Sequence, residues 1–461
     1  MDKIQQAINF YNQEQNFEAE KLALEVFSAD NNSIDALDIL GAIYLKTGNL
    51  EFLKNLNKSY LTLIRKMAGF LADLKTYEQA IFFYEKAVEL DNNDIVGLNN
   101  LALLYEEINK TDKAKAAYEK SIKIQENYPA LYNLGVLERK LKNLSRSKIC
   151  LQKALSLEPT NSYANYSLGM TYLMEKNFDK GYPYFLKKPV KNADGLKNFW
   201  DGSKQKDKTI LVFCEYGLGD GIMFSRYFPV LKEYFNRIKV FCAYSLRNLF
   251  EASFDGIEFV SSPETEYDFC VFAMNLPHFL KLNFDNIPLS EGYLKADEGK
   301  IRDYKEKYFN TNDRKIGIFY IGGELQKRNA KYRRIPLTEL SRLFEIPNTK
   351  FYSFQKDDIL GELTDFPEII DLGKTFNDFS DTASAMKNLD LMITIDSAPV
   401  HLAGALGVKT ILMLPYYSEW RWFLDENTTP WYKSVELIRQ TTPCEWQSVV
   451  DKIYKKLFIR N

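Results

Sequence analysis

A single carboxylate, Asp220, follows a glycine-rich turn at a place from which it could take a proton from a substrate hydroxyl. The turn, Gly217-Leu218-Gly219, comes shortly after an apolar run at 209–214 that predicts a strand buried on both faces. Apolar residues then recur at helical spacing, so Asp220 falls in the first turn of a helix at the carboxyl edge of a parallel sheet. Open α/β sheets bind ligands at that edge. Capping of the helix is an equally good explanation for this aspartate.

A second strand, turn and helix pattern places Asp396 and Ser397 at the start of another predicted helix. Free backbone amides at Ser397 and Ala398, together with the helix dipole, favour a phosphate at that point. His401 lies one turn further along and could donate to a diphosphate or a sugar. A lone histidine is more often a packed structural group, so this alternative stays open.

A basic loop at 326–337 carries five positive charges within residues 327–334, among them Lys331 and Arg333. Guanidinium and ammonium groups at the end of a strand can neutralise a pyrophosphate without a metal. Most charge runs are solvated surface loops. The predicted position of this one beside the anion-binding helix favours phosphate binding, and Gln355 and Lys356 end the next predicted strand at the same edge.

Short apolar runs that alternate with helical stretches begin at residue 208 and predict two parallel-sheet halves that position these side chains. The predicted strands of the first half are 209–214, 238–243, 257–260 and 268–272, and those of the second are 315–320, 350–353, 368–371, 389–394 and 410–414. A polar stretch at 297–313 separates the halves. Trp420, Arg421, Trp422, Trp431 and Tyr432 form an aromatic cluster that could either stack on a ligand or pack between the halves.

The first two hundred residues predict a repeat array. Small residues recur at intervals of 34, 27, 34, 33 and 34, close to the period of a tetratricopeptide repeat, at Ala7, Gly41, Ala68, Ala102, Gly135 and Gly169. The short second interval predicts a unit with a shortened helix around 52–57. One repeat cannot bury its own apolar face, so the units should stack into an all-α superhelix with a concave groove, which suits a protein or peptide partner better than a spacer role.

Composition excludes several function classes. The chain has 461 residues and a net charge of -2, so it offers no overall attraction to nucleic acid or an anionic membrane. Its five cysteines are scattered, and its two histidines are too few for a multi-histidine metal site. No apolar run reaches the roughly 18 residues of a membrane span, and no signal core is seen, so we expect a cytoplasmic protein.

Taken together, these residues resemble bacterial tetratricopeptide-repeat proteins that carry a C-terminal glycosyltransferase domain similar to the ADP-heptose:lipopolysaccharide heptosyltransferases of glycosyltransferase family 9. The resemblance extends over nearly the whole chain. It rests on Glu215-Tyr216-Gly217-Leu218-Gly219-Asp220, Arg226-Tyr227, Asn275-Leu276-Pro277, Arg333 with Ile335-Pro336-Leu337, Ser353-Phe354-Gln355-Lys356, Asp396-Ser397 with His401-Leu402-Ala403-Gly404-Ala405-Leu406-Gly407, Trp420-Arg421-Trp422, Pro430-Trp431-Tyr432 and Arg439-Gln440.

The resemblance implies a GT-B fold, in which two Rossmann-like halves face a cleft. The expected domains are the repeat array at 1–186, a linker at 187–207, an acceptor-side half at 208–300 and a nucleotide-sugar half at 301–461. Asp220 would be the general base, with an acceptor-side loop formed by Glu215, Gly217, Gly219 and Arg226. The expected donor-binding residues are Lys331, Arg333, Gln355, Lys356, Asp396, Ser397, Ala398 and His401.

By the same resemblance the nucleotide-sugar is a co-substrate, no other cofactor and no metal is needed, and the anomeric centre is inverted. The leading hypothesis is a transferase that modifies a protein recruited by the repeats, with flagellin as one possibility that the family implies. One alternative is a transferase acting on a lipopolysaccharide or another surface-glycan precursor. Another is an inactive repeat scaffold whose transferase-like domain only binds a nucleotide or a partner.

Overall fold

The computed structural model describes residues 2–55, 57–188, 196–214, 217–322, 333–356, 360–424 and 426–458. The chain divides into two compact units, Met1–Leu168 and Gly169–Asn461. The division falls within the sixth predicted repeat rather than at residue 186. Part of the reason is that Phe178, in the last helix of that repeat, packs on Trp420 and Trp431 of the α/β region.

Helix pairs build the first unit. Its helices are α1 (Lys3–Asn12), α2 (Asn16–Ala29), α3 (Ile34–Thr47), α4 (Leu61–Asp73), α5 (Tyr77–Leu90), α6 (Ile95–Glu107), α7 (Thr111–Ile124), α8 (Tyr128–Lys140) and α9 (Leu144–Leu157), while α10 (Ser162–Met174) crosses the division. In the second repeat of the array, the helix that should pair with α3 is not a full-length α-helix. A 3-10 helix, Glu51–Asn55, stands in its place, which accounts for the short interval in the sequence.

The recurring small residues lie where neighbouring helices approach most closely. Within the first unit Ala7, Ala68 and Ala102 are fully buried. A Cβ on Gly41 would lie 2.6 Å from the ring of Phe70, and one on Gly135 would lie 2.7 Å from Leu151. The contacts confirm the packing role that the period predicts, because a larger side chain at these points has no room.

A second period runs through the backbone of the first unit. In each repeat of this unit, the turn after the first helix contains a residue in the left-handed region, with φ between 58° and 70°. These residues are Glu14, Gly48, Lys75, Asn109 and Lys142. These positions are spaced by 34, 27, 34 and 33 residues, as the small residues are. In each of these repeats the chain therefore reverses through the same backbone conformation, whichever side chain is present.

Two parallel sheets form the core of the second unit. The strands are β1 (Thr209–Phe213), β2 (Arg237–Phe241), β3 (Glu258–Val260), β4 (Phe269–Phe272), β5 (Arg314–Phe319), β6 (Thr349–Ser353), β7 (Ile370–Asp371), β8 (Leu391–Ile395), β9 (Thr410–Leu414) and β10 (Val435–Arg439). The sheet orders are β3-β2-β1-β4 and β10-β9-β8-β5-β6-β7. Counted within each half, these are 3-2-1-4 and 3-2-1-4-5-6, the order of a Rossmann sheet. The two Rossmann-like halves of the predicted GT-B architecture are thus present.

Helices cover and connect the sheets. They are α11 (Phe178–Phe185), α12 (Leu218–Ser225), α13 (Phe228–Leu231), α14 (Tyr244–Ser253), α15 (Leu276–Phe279), α16 (Glu298–Tyr308), α17 (Leu337–Phe344), α18 (Phe379–Met386), α19 (Ala398–Ala405) and α20 (Gln447–Phe458). The polar stretch between the halves holds α16. Trp200, in the predicted linker, is buried against Tyr234, Phe235 and Phe279, and so anchors that segment to the first half.

The predicted strands differ from the observed ones mainly at their ends, except that β10 was not predicted. β10 lies at the edge of the sheet, and Glu436 and Arg439 interrupt its apolar residues; besides its ladder with β9, it forms an isolated bridge between Glu436 and Thr428. Glu436 is ion-paired with Lys456 of α20, and Arg439 donates to the carbonyl oxygen of Trp422. Among the helices that the structure describes, none is both long and apolar enough to cross a membrane.

Candidate active site

The starts of α12 and α19, one from each half of the second unit, are in direct contact. A Cβ on Gly219 would lie 2.9 Å from Cδ2 of His401 and 3.3 Å from Cα of Ala398. Neither Gly217 nor Gly219 has a positive φ, so the turn itself does not require glycine at either position. Gly219 is required instead because the two helices approach so closely there.

Asp220 faces the second half from the first turn of α12. Its Oδ1 accepts a hydrogen bond from Nη2 of Arg421 at 2.8 Å, and both side chains are largely shielded from solvent. Gly217 is the N-cap residue of α12, and no side chain caps this helix. Asp220 is therefore not the N-cap residue of this helix, and its carboxylate serves a contact between the two halves.

Arg421 was singled out in the sequence only as a member of the aromatic cluster. It lies in the 3-10 helix Trp420–Trp422, and its carbonyl oxygen accepts a 2.7 Å bond from Nε1 of Trp431. The next residue but one, Phe423, is buried with φ 54°. A bulky residue in this region is strained, and such strain concentrates at functional sites. A basic residue flanked by two tryptophans was the available signal.

Asp396 and Arg333 meet at the end of β8. Arg333 donates from Nε and Nη2 to the carbonyl oxygen of Asp396, at 3.0 and 2.5 Å. Burial raises the pKa of the Asp396 carboxyl, while the positive charges of Arg421 and Arg333 oppose that rise. Two guanidinium groups therefore lie at the start of α19, and the partner of Arg333 there is a carbonyl oxygen without formal charge.

Ser397 and Ala398 begin α19 at the point where the strand order of the second sheet reverses, between β5 and β8. Ser397 is the N-cap residue, and its side chain makes no capping hydrogen bond. A Cβ on Gly322, just after β5, would lie 3.3 Å from Oγ of Ser397. Gly322 thus leaves room for the Ser397 side chain at the switch point, which is where doubly wound sheets bind ligands.

His401 is buried rather than directed into open space. Its Nδ1 lies 3.0 Å from the hydroxyl of Tyr432, and its ring stacks on Trp422 at 5.5 Å. Burial lowers the pKa of this imidazole well below its ordinary value, and Arg421 lowers it further. The structure therefore favours the packed structural role for His401 and leaves a neutral ring in folded protein.

Arg226 is fully buried at the end of α12. Its guanidinium donates to the carbonyl oxygen of Trp431 at 2.8 Å and lies over the rings of Tyr293 and Tyr432. The expectation that Arg226 belongs to an acceptor-side loop is corrected by this burial. Its role is to join the two halves.

The remaining predicted residues have separate positions. Gln355 is buried, and its Oε1 accepts from the backbone amide of Ile321, so it fixes the end of β5. Lys356 is exposed on the following turn. Glu215 and Lys331 lie outside the described residues. The aromatic cluster is buried, with Trp420, Trp422, Trp431 and Tyr432 all at 1% exposure or less, which confirms the packing alternative.

Comparisons with known proteins support the repeat assignment. Two family profiles described as tetratricopeptide repeat match residues 83–116 and 150–181, and residues 66–94 and 128–161. The crystal structure of MamA is 19% identical and covers 39% of this chain and 91% of its own, with a TM-score of 0.27. The two family profiles confirm the predicted tetratricopeptide repeats within residues 66–116 and 128–181.

Two further comparisons extend into the α/β region. A glycosyl transferase family 9 structure from Veillonella parvula is 14% identical and covers 57% of this chain and 100% of its own, with a TM-score of 0.41. Protein FlbA of Caulobacter vibrioides is 22% identical over 519 residues, which span 94% of this chain and 86% of FlbA. The chain thus carries tetratricopeptide repeats within residues 66–116 and 128–181 ahead of a C-terminal pair of Rossmann-like halves, and it is similar to FlbA along most of its length.

Proposed function

We propose that this protein is a glycosyltransferase that moves a sugar from a nucleotide-sugar donor to a protein acceptor bound by the repeats. The observation that carries the proposal is the meeting of α12 and α19. It brings a carboxylate, Asp220, to the helix start that is best suited to bind phosphate, with Arg333 and Arg421 beside it. A transfer reaction needs both a proton acceptor and a site for the leaving phosphate.

The proposed chemistry assigns the proton to Asp220. An acceptor hydroxyl attacks the anomeric carbon of the donor, and its proton passes to the Asp220 carboxylate as the new carbon–oxygen bond forms. The bond to the nucleoside diphosphate breaks, and the phosphate oxygen leaves with the electron pair. Base catalysis of this kind contributes on the order of 10² to 10⁴ in rate. Attack from the face opposite the diphosphate would invert the anomeric centre.

The donor side stabilises the charge that develops on the leaving group. The amides at the start of α19, the dipole of that helix and the guanidinium of Arg333 are already oriented before the donor arrives. Preorganised donors of this kind lower the barrier, because they need no rearrangement as the charge develops. His401 supports the site by packing α19 against Trp422 and Tyr432, and it is not a donor contact in this proposal.

The acceptor side rests on the repeats. Stacked repeat units of this family expose broad surfaces that recognise peptides and proteins, which suits a protein acceptor. A surface-glycan acceptor, with the repeats binding an assembly partner, is the alternative that the experiments below distinguish.

Donor binding can be tested on the purified full-length chain. Isothermal titration with UDP, GDP, ADP and CMP should identify one nucleotide that binds. Arg333→Gln should weaken its binding by about 10- to 100-fold, because a hydrogen bond to a charged group is lost. The matched control is Arg334→Gln, since Arg334 pairs with Glu362 instead of the start of α19. Equal effects of the two substitutions, or no nucleotide binding, would contradict the proposed donor site.

The acceptor can be identified in cells. Intact masses of cellular proteins and surface-glycan profiles would be compared between the wild type and an Asp220→Ala strain. Loss of a sugar mass from one protein is the expected result. A defect confined to surface glycans would support the alternative acceptor, and no change in either profile would rule out catalysis by Asp220.

A further inference from the structure

Asp220, the base of the proposed reaction, is held in an ion pair with Arg421. Nη2 of Arg421 already lies 2.8 Å from Oδ1 of Asp220, in a contact with 13% and 18% side-chain exposure. A carboxylate oxygen that accepts from a guanidinium cannot accept a proton from a substrate in the same direction. Proton uptake by Asp220 through either oxygen would also leave Arg421 beside a neutral partner in a shielded contact, so withdrawal of Arg421 would favour the transfer.

The surroundings of Arg421 show what could draw it away. Arg421 bonds to Asp220 of α12, and its positive charge also favours the ionised form of the Asp396 carboxyl, which precedes α19. The other guanidinium of the site, on Arg333, is bound to a carbonyl oxygen. An added diphosphate would therefore find Arg421 already paired with Asp220.

We propose that the donor's phosphate replaces Asp220 as the partner of Arg421, so that binding of the anion releases the catalytic carboxylate. This inference rests on the proposed function and adds Arg421 as an anion-binding residue that couples the donor site to the base. The exchange involves no covalent step: one charge-assisted hydrogen bond to a carboxylate is replaced by one to a phosphate oxygen. Its consequence is an ordered reaction, in which the acceptor hydroxyl is activated only after the donor has bound.

The anchoring of Arg421 supports an exchange by the side chain alone. Its backbone is held by Trp431 through the 2.7 Å bond to its carbonyl oxygen, and the flanking Trp420 and Trp422 are buried. The main chain is therefore fixed while the long side chain can turn from α12 to α19. An arginine suits this role because its fork of donors matches both carboxylate and phosphate oxygens.

A binding cycle with inorganic pyrophosphate tests the exchange at constant pH and ionic strength. The full-length wild type, Asp220→Asn, Arg421→Gln and the double variant would be titrated calorimetrically. If Asp220 competes with the anion for Arg421, Asp220→Asn should tighten pyrophosphate binding by about 3- to 10-fold. Arg421→Gln should weaken it by about 10- to 100-fold. In the Arg421→Gln background, adding Asp220→Asn should then change the affinity less than about 2-fold.

The cycle separates the exchange from simple repulsion between Asp220 and the anion. Repulsion alone would tighten binding by the same factor in both backgrounds, and that result would overturn the proposal. Arg421→Lys keeps the charge and should restore part of the affinity; if it behaved like Arg421→Gln while its tryptophan emission matched the wild type, Arg421 would not be the anion ligand. Pyrophosphate binding that is unchanged by Asp220→Asn would refute the exchange but leave the proposed function intact. No binding to the wild type would overturn both.

Discussion

Arg226 of the first Rossmann-like half donates from Nη1 to the carbonyl oxygen of Trp431 in the second half, at 2.8 Å. The two halves of the α/β unit are therefore joined by a buried cation and not only by surface contacts. Its Nε also donates to the carbonyl oxygen of Met223, and the guanidinium lies 4.7 Å from the ring centre of Tyr432. A charge in this position stabilises only while its partners remain in place.

Replacing Arg226 with methionine should lower the free energy of unfolding of the α/β unit by about 2–4 kcal/mol, because charged hydrogen bonds and stacking contacts are lost. All five tryptophans, Trp200, Trp420, Trp422, Trp431 and Trp446, lie in this unit, so urea titration followed by their emission reports its unfolding. Arg302→Ala, on the exposed face of α16, is the control and should change stability by less than about 0.5 kcal/mol. Similar losses in both variants would argue against the buried bridge.

The close contact between α12 and α19 gives a second prediction. Gly219→Ala should destabilise the α/β unit by about 1–3 kcal/mol and reduce donor turnover, because the new Cβ would meet His401 and Ala398. At Gly217 the nearest atom to a Cβ is Oδ2 of Asp220 at 3.8 Å, an ordinary contact. Gly217→Ala should therefore leave the urea midpoint nearly unchanged. If Gly219→Ala were equally well tolerated, the two helices could not be in contact in solution.

The buried His401 makes the stability of this unit depend on pH. Its pKa is lowered by burial, so the folded protein keeps the ring neutral, whereas the unfolded chain binds a proton below about pH 6.5. Because the unfolded state then binds more protons, the free energy of unfolding falls as the pH decreases. Between pH 7 and 5.5 the wild type should lose about 1 kcal/mol more than His401→Asn. Burial also lowers the pKa of His278, whose share is the same in both proteins and cancels.

Two helical glycines of the N-terminal compact unit, Gly135 and Gly69, differ in how much room they leave for a side chain. Gly135→Ala should destabilise the pairing of α8 with α9 by about 1–3 kcal/mol, since its Cβ would lie 2.7 Å from Leu151. Gly69→Ala, in α4, should instead stabilise by about 0.5–1 kcal/mol, because its Cβ would meet only the Tyr84 hydroxyl at 3.8 Å. Hydrogen exchange of peptides from each helix would show the two opposite changes. Faster exchange in both variants would contradict the difference in packing.

Much of the fold was predictable because it rests on periodic patterns. The 34-residue spacing of Ala68 and Ala102 is a direct consequence of helix pairs stacking at fixed distance. Strands β1, β8 and β9 are buried at every residue, so their sequences are continuous apolar runs. The edge strand β10 escaped prediction because one of its sides has no neighbouring strand, which permits charged residues that interrupt such a run.

The candidate site was less predictable because its contacts join distant residues. The first turn of α12 identified Asp220, but its partner lies 201 residues away, at Arg421, and no local spacing connects them. Arg226 was assigned to the acceptor-side loop by the family resemblance, and His401 to donor binding because it lies one turn beyond Ser397. Only the packing of the two halves shows that both are buried. Residue type and spacing predict which groups are near a sheet edge; they do not predict which of these groups face solvent.

The left-handed turns of the repeat unit have a consequence for how far that unit can be strengthened. Glu14, Lys75, Asn109 and Lys142 adopt a backbone conformation that costs a non-glycine residue about 1 kcal/mol or more, whereas Gly48 adopts it freely. The turns lie in separate repeats, so the increases in unfolding free energy from glycine at each position should be nearly additive. The array could thus be stabilised through its connecting turns, although glycine at Glu14 would also remove an exposed ion pair with Lys46 of α3.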